Sequence, residues 1–311
     1  MYIFSKFLKE ELILKFVHLQ KLEIKLFMGE KLIFSGHETF HCKNLWLKKG
    51  YDFVANRGKF TDEACIELGV GRNMVNSIRF WLKAFNIIDD KTEEITEIAD
   101  FIFGNNQGKD KYIEDETTLW LLHYLLITND YSSIYSIIFN DFRKVKPEFD
   151  KSNFSFYMKG LGIDTNQNTL EKDFSVFYRM YYSKNEKDIE DSFSGILSEL
   201  ELIQFLKKDN SSKMVIQNHK QKNIPIELIL FIILENKKYG KSISFKNLYQ
   251  DKDSVGSIFA LSKDDLENKL IMLSKKYPYI IYSNDAGIKE LQFKGLKPDS
   301  FEILKDYYEQ N

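Results

Sequence analysis

Cysteine, proline, alanine and arginine are all scarce in this sequence. The two cysteines, Cys42 and Cys65, form no C-x-x-C pair. That excludes a disulfide framework and a four-cysteine zinc site, and it points to a reducing cytoplasm. No long apolar run exists. The longest lies around Ile229–Leu234, between Glu227 and Glu235, far short of the ~18 residues of a spanning helix, so no membrane partner is expected. The first 27 residues are scattered with Lys and Glu and lack the apolar stretch of a signal peptide. They carry an amphipathic stripe (Phe4, Leu8, Leu12, Phe16, Leu19), and Met28 begins a polar Gly29–Glu30–Lys31 stretch. Residues 1–27 are therefore expected to be an upstream or appended extension. Four Pro, six Ala and five Arg against 39 Lys read as a genome-level codon bias.

What is plentiful is apolar and aromatic. Of 311 residues, 43% are apolar and 29% charged, enough for a sizeable core and roughly two domains. Forty-six aromatic residues argue against disorder. The net charge of −2 excludes a uniformly basic nucleic-acid binder but not one basic face on an acidic body.

The pattern divides the chain into an N-terminal unit at 28–108, a helical middle at 109–223 and a C-terminal module at 224–311. Helical stripes run from Glu116 to about Phe142, near 170–182 and at 189–206. Residues 147–169 read as loop, with Pro147, Gly160, Gly162 and several Asn, and 207–223 as a polar linker. Pro225 opens an apolar helix that reaches about Asn236.

The most informative segment is Thr61–Phe80, TDEACIELGVGRNMVNSIRF. A helix-turn-helix needs buried apolar residues at its positions 4, 8, 10, 15 and 18, a small residue at 5 and Gly at 9. Ala64, Leu68, Val70, Val75, Ile78, Cys65 and Gly69 meet all of these. Thr61 is placed to cap the first helix, with Asp62 and Glu63 at its positive end. Asn86–Ile88, the turn Asp89–Lys91 and Ile95–Ile98 then read as a hairpin, making a winged helix-turn-helix. The second helix carries Arg72, Asn73, Asn76, Arg79 and Lys83, with no acid from 71 to 88. Asn and Arg pair with base edges and Lys suits phosphates, so these five are the expected contacts to double-stranded DNA. The competing reading is that Arg79 and Lys83, four apart, simply solvate one face.

The C-terminal module repeats the plan. Ser244 and the Ser262–x–x–Asp265 box cap two helices, and Tyr279–Ser283 and Ile288–Phe293 form a hairpin around Asn284–Gly287. Its second helix mixes Lys263, Lys269, Lys275 and Lys276 with Asp264, Asp265 and Glu267, which suits a structural or protein-contact role. The expected fold is thus mainly α with small β-hairpin wings: an N-terminal winged helix-turn-helix, a central helical region and a C-terminal winged-helix-like module.

Residues 37–41, His-Glu-Thr-Phe-His, match the H-E-x-x-H zinc motif. Gly36 before it, the absence of a helical pattern until about Cys42 and the unmarked third ligand all count against a zinc peptidase. The sharper reading places Ser35, His37 and Glu38 in a polar site beside the winged helix.

Three strings then become recognisable: Phe34–Phe40 (FSGHETF), Trp46–Asp52 (WLKKGYD) and Leu68–Val75 (LGVGRNMV) with Ser77–Trp81 (SIRFW). With Asn168–Asp173, Phe177 and Leu197–Ile203 they resemble a bacterial family of uncharacterised domains, over roughly 28–300. Its members often lie beside sulfur-transfer genes of DNA phosphorothioation. The resemblance implies a component of a phosphorothioation or phage-defence system, similar to the part that nicks DNA in the single-strand version. It also implies partner proteins of a sulfur-modification complex. Lys43 and His41 depart from the family pattern. A nuclease centre would need Mg²⁺ or Mn²⁺, or a His base, and His37 and Glu38 are the expected catalytic candidates. The alternative is a non-enzymatic transcription regulator or DNA-binding adaptor.

Overall fold

The computed structural model describes residues 32–163, 165–182, 195–208 and 211–310. The expected extension at 1–27 lies outside them. The chain is mainly helical with two small antiparallel sheets.

The described residues open with four helices: α1 (Trp46–Ala55), α2 (Ala64–Glu67), α3 (Arg72–Ala84) and α4 (Glu97–Phe103). The apolar residues named for a helix-turn-helix are inside: Ala64, Leu68, Val75 and Ile78 are buried, and Val70 and Cys65 pack against the core partly exposed. Gly69 turns the chain with φ +59°, in the left-handed region that glycine enters without a side-chain penalty. Thr61 does not cap α2 with its side chain; its carbonyl accepts from the Ala64 N–H at 3.1 Å, and the helix starts two residues later than expected, with Glu63 at the cap position. After α3, Ile88 and Ile95 form a single antiparallel bridge rather than a long hairpin. Thr96 caps α4 through its hydroxyl.

The middle holds α5 (Glu116–Thr128), α6 (Ser133–Ile137), which continues through a π-helical turn (Ile138–Phe142) and a last turn (Arg143–Val145), then α7 (Lys151–Gly160) and α8 (Gln167–Tyr181). Strand β1 (Glu148–Phe149) joins β2 (Gln204–Lys208) and β3 (Ser211–Val215) in the order β1-β3-β2.

Three expectations are corrected here. The stretch 147–169 is not all loop, because a capping box between Asp150 and Asn153 starts α7. The described part of 189–206 is not an α-helix. Gly195 sits where a Cβ would lie 2.3 Å from the Arg179 carbonyl oxygen, a close backbone approach that a helix would not allow. The linker at 207–223 contains β3, whose Met214 pairs with Phe149 and Phe205 and is buried.

At the C-terminal end, α9 (Ile226–Glu235) begins directly after Pro225. Then come β4 (Ser242–Ser244), α10 (Phe245–Gln250), α11 (Val255–Ile258), α12 (Lys263–Lys276), β5 (Ile280–Asp285), β6 (Ile288–Phe293) and α13 (Ser300–Gln310). Ser244 and Ser262 cap their helices, accepting from Asn247 and Asp265 N–H. Ala286 and Gly287, both with positive φ, make the two-residue turn that matches strand twist in a hairpin.

One continuous hydrophobic core draws on all of these segments. Its centre is a chain of rings. Phe80 meets Trp81 (centroids 5.0 Å), Trp81 meets Tyr135 (6.1 Å), Tyr135 meets Phe177 (5.5 Å) and Phe177 meets Tyr181 (5.3 Å). Tyr181 meets His123 (5.5 Å), which stacks on Phe259 (6.1 Å). The aromatic richness of the sequence is thus spent on a spine from α3 to the end of α11. Two polar groups along it are paired, whereas the buried Tyr135 hydroxyl has no hydrogen-bond partner among the described residues. His123 Nε2 lies 2.9 Å from the Ile258 carbonyl and Nδ1 2.8 Å from the Tyr181 hydroxyl, so Nε2–H donates and Nδ1 accepts. The buried Arg143 donates to the carbonyls of Phe139 (3.0 Å) and Ser257 (2.8 Å) and to Asn218 Oδ1 (2.5 Å).

Candidate nucleic-acid interface

The FSGHETF segment forms a tight loop between α3 and α8. Ser35, Gly36, Glu38 and Thr39 all have positive φ, so the H-E-x-x-H motif is not helical and its two histidines are not stacked one turn apart. At Gly36, φ is +97° and a Cβ would lie 2.8 Å from the Phe80 ring; glycine is required twice over. His37 is buried, with its ring stacked on Trp81 (6.1 Å) and edge-on to Phe80 (5.6 Å).

The ring nitrogens of His37 are both used. The Thr39 N–H donates to Nδ1 at 3.1 Å. Nδ1 is therefore the acceptor, and Nε2–H donates to Asp173 Oδ1 at 3.0 Å. Asp173, itself buried, also takes the Ser35 N–H on both oxygens at 3.0 and 3.1 Å. Arg179 Nη2 donates to the Thr39 carbonyl at 2.6 Å, and Trp81 Nε1 to the Phe40 carbonyl at 3.1 Å. The loop thus ties the α3 face to α8. As placed, His37 has no spare lone pair with which to abstract a proton. Glu38 is exposed. Among the described residues no three or more His, Cys, Asp or Glu side chains gather as a metal-holding cluster.

Sequence reasoning placed His37 at the site and missed Asp173, the residue that holds it. A signal was present. Asp173 sits among Leu170, Phe174, Val176 and Phe177, on the apolar face of α8, and a charge in such a stripe needs a buried partner.

Helix α3 is two-sided. Val75, Ile78, Phe80, Trp81 and Leu82 are buried, whereas Arg72, Asn73 and Asn76 are exposed. Arg72 reaches back to Asp62 at 3.1 Å, a pair in open solvent that holds its guanidinium only weakly. Further along the helix, Arg79 and Lys83 both close on one oxygen of Glu93. Arg79 Nε and Nη2 lie 2.7 and 2.6 Å from Glu93 Oε1, and Lys83 Nζ lies 2.6 Å from it. Burial opposes ionisation of Glu93, yet the hydrogen bonds from Lys83 and Arg79 hold its carboxyl below the usual range. Glu93 is the second residue that sequence reasoning missed, because nothing local marks an acid in the turn as the partner of bases ten and fourteen residues earlier. The five expected DNA contacts therefore divide into three exposed residues and two already engaged.

The corresponding helix of the C-terminal module, α12, spends its lysines internally. Lys269 donates to the Ile224 carbonyl at 2.8 Å and Lys276 pairs with Glu227 at 2.5 Å.

The profile of a family described as Protein of unknown function (DUF4007) matches residues 34–308. The chain belongs to the DUF4007 family. That span begins at the FSGHETF loop and ends in α13, so the ties from α3 to α8 lie inside the family domain. Two solved structures share the fold: the crystal structure of SspB (TM-score 0.75) and the magnesium ion-bound crystal structure of SspB (TM-score 0.77). Each is 24% identical and covers 89% of this chain and 88% of its own. No curated protein matches the chain in sequence. Among the described residues, no helix is long and apolar enough to cross a membrane.

Proposed function

We propose that this chain is a cytoplasmic DNA-binding component of a phosphorothioation-type DNA-modification or phage-defence system. On this reading it contacts double-stranded DNA through the exposed face of α3 and works beside other proteins of a sulfur-modification complex. The observation that carries it is the two-sidedness of α3. One face is fixed in the core, while Arg72, Asn73 and Asn76 stand exposed on a helix that bears no acid. In a winged helix-turn-helix the second helix enters the major groove with its N-terminal residues towards the bases. The left-handed turn at Gly69, the buried crossing of α2 and α3, and the bridge Ile88–Ile95 support that docking. Family membership and the SspB-like fold support the choice of system.

Two readings of the role remain, nickase and adaptor. The adaptor is favoured by the engagement of both His37 ring nitrogens, which leaves the imidazole no free lone pair for a general-base role. The magnesium ion belongs to the SspB structure. A plasmid-relaxation assay with Mg²⁺ or Mn²⁺ separates the two. Nicking that is present in wild type and lost in Glu38→Ala would restore the nickase.

DNA binding is tested by fluorescence anisotropy on labelled duplexes across a salt series. Arg72→Ala or Asn73→Ala is expected to weaken binding by about 1–3 kcal/mol on a cognate site if the side chain reads a base. Wild-type affinity with no salt dependence would overturn phosphate contact altogether.

A further inference from the structure

Arg79 and Lys83 lie on the same helical stripe as Arg72 and Asn76, at spacings of three and four residues. They are the only two cations of α3 tied to one acid, and that acid comes from the wing turn. Glu93 Oε1 takes three contacts of 2.6–2.7 Å from them, and among the described residues its Oε2 takes no hydrogen bond. Beside the Arg79–Glu93 pair opens a cleft of about 380 Å³, lined by Lys59, Phe60, Thr61, Arg79, Thr92 and Glu93 among others; Lys83 does not line it, and its Nζ also donates to the Asp90 carbonyl at 2.8 Å. The Phe60 ring lies 5.7 Å from the guanidinium carbon and holds one of its faces. Lys59 and Thr61 are exposed at the rim.

We infer that Arg79 and Lys83 form a phosphodiester-binding subsite, and that Glu93 closes it in the free protein by standing where a DNA phosphate oxygen is received. This deepens the DNA-binding reading and rests on it. Within the cluster two cations share one carboxylate, set in a turn that also carries Asp89, Asp90 and Glu94. A phosphodiester then replaces the carboxylate charge for charge, with the same short, charge-assisted geometry.

The turn is built to let the side chain move while the backbone stays. Asp89 Oδ1 accepts the N–H groups of Lys91 and Thr92 at 2.9 and 2.8 Å, and the Glu93 N–H donates to the Asp89 carbonyl at 3.0 Å. Opening therefore needs only rotation of Glu93 about its own side-chain bonds. The consequence is selectivity. A phosphate reaches Arg79 only by releasing Glu93, so encounters that touch Arg72, Asn73 and Asn76 alone gain nothing from this subsite and well-seated ones do.

The experiment compares the full-length chain with Glu93→Gln on a fluorescein-labelled random-sequence duplex between 50 and 200 mM salt. Glu93→Gln is expected to bind about 3- to 10-fold tighter at the low-salt end. Its plot of log affinity against log salt should steepen by about 0.9 for each phosphate newly held without competition. Glu94→Gln, which changes the net charge by the same amount one residue along, should not reproduce the gain, and adding Arg79→Gln to Glu93→Gln should remove it. A melting curve for each variant checks folding, and Glu93→Asp, which keeps the charge but shortens the reach, should bind tighter than wild type in the same direction. Wild-type binding with unchanged affinity in Glu93→Gln and Glu93→Asp overturns the subsite alone. Absence of binding by wild type and Glu93→Gln alike overturns the DNA-binding reading and the subsite with it.

Discussion

Gly36, His37 and Asp173 show how much of this protein's chemistry is spent on holding shape. The carboxylate of Asp173 is buried and takes three hydrogen bonds from the 35–37 segment. Removing the imidazole leaves part of that charge uncompensated. His37→Ala is expected to cost about 1–3 kcal/mol from the lost charge-assisted bond, before any packing loss. Gly36→Ala is expected to cost a similar amount, because the left-handed backbone and the Phe80 ring both oppose a Cβ. Chemical denaturation of both variants checks this, and a change below about 0.5 kcal/mol in either would remove the loop's structural role. The motif itself was legible in the sequence; its purpose was not. H-E-x-x-H carries meaning only on a helix, and the positive φ values of Glu38 and Thr39 depend on a partner 136 residues away.

Elements that carry their own instructions were legible. The burial of Ala64, Leu68, Val75 and Ile78, the Ser244 and Ser262 caps, the Pro225 start of α9 and the C-terminal hairpin all appear where local chemistry puts them. Elements whose partners are distant were not. β3 hides in a Lys/Asn-rich stretch because its partners are Phe149 and Phe205, and α7 hides behind Pro147 because its capping box uses Asn where Glu or Gln is usual. Helix α5 is apolar almost all round, as a fully buried helix should be, and it carries a histidine into the core. Burial, with Arg143 nearby, pushes His123 down to about 3 from its ordinary 6.5. The unfolded chain therefore binds a proton that the folded one refuses between these values. The His123 contribution to stability is complete above about pH 6.5 and is lost as the pH falls towards 3. Melting temperature is expected to drop on acidification from pH 7 to pH 4.5, and to drop less steeply in His123→Asn. Parallel slopes in the two proteins would clear His123.

At the scale of the whole molecule, the ring spine from Phe80 to Phe259 and the buried Arg143 bind the N-terminal, middle and C-terminal segments into one core. Helix α13 closes the far side, where Phe301 and Tyr308 pack on Phe101 of α4 and Tyr308 meets Thr118 of α5 at 2.7 Å. Such a core predicts cooperative unfolding. Fluorescence of Trp81 and Trp120, far-UV circular dichroism and calorimetry are expected to give one coincident transition. A separate early transition would show instead that the terminal modules are energetically independent.

The tie between His37 and Asp173 also orders events in time. A ribosome releases residues at about 5–20 per second, so the loop beneath α3 waits roughly 7–27 s for its anchor to be synthesised. Helix α3 is translated early, but its supporting floor is finished only when α8 has left the exit tunnel. A truncated nascent chain ending before Asp173 would therefore carry Arg72, Asn73 and Asn76 without the platform that fixes their helix.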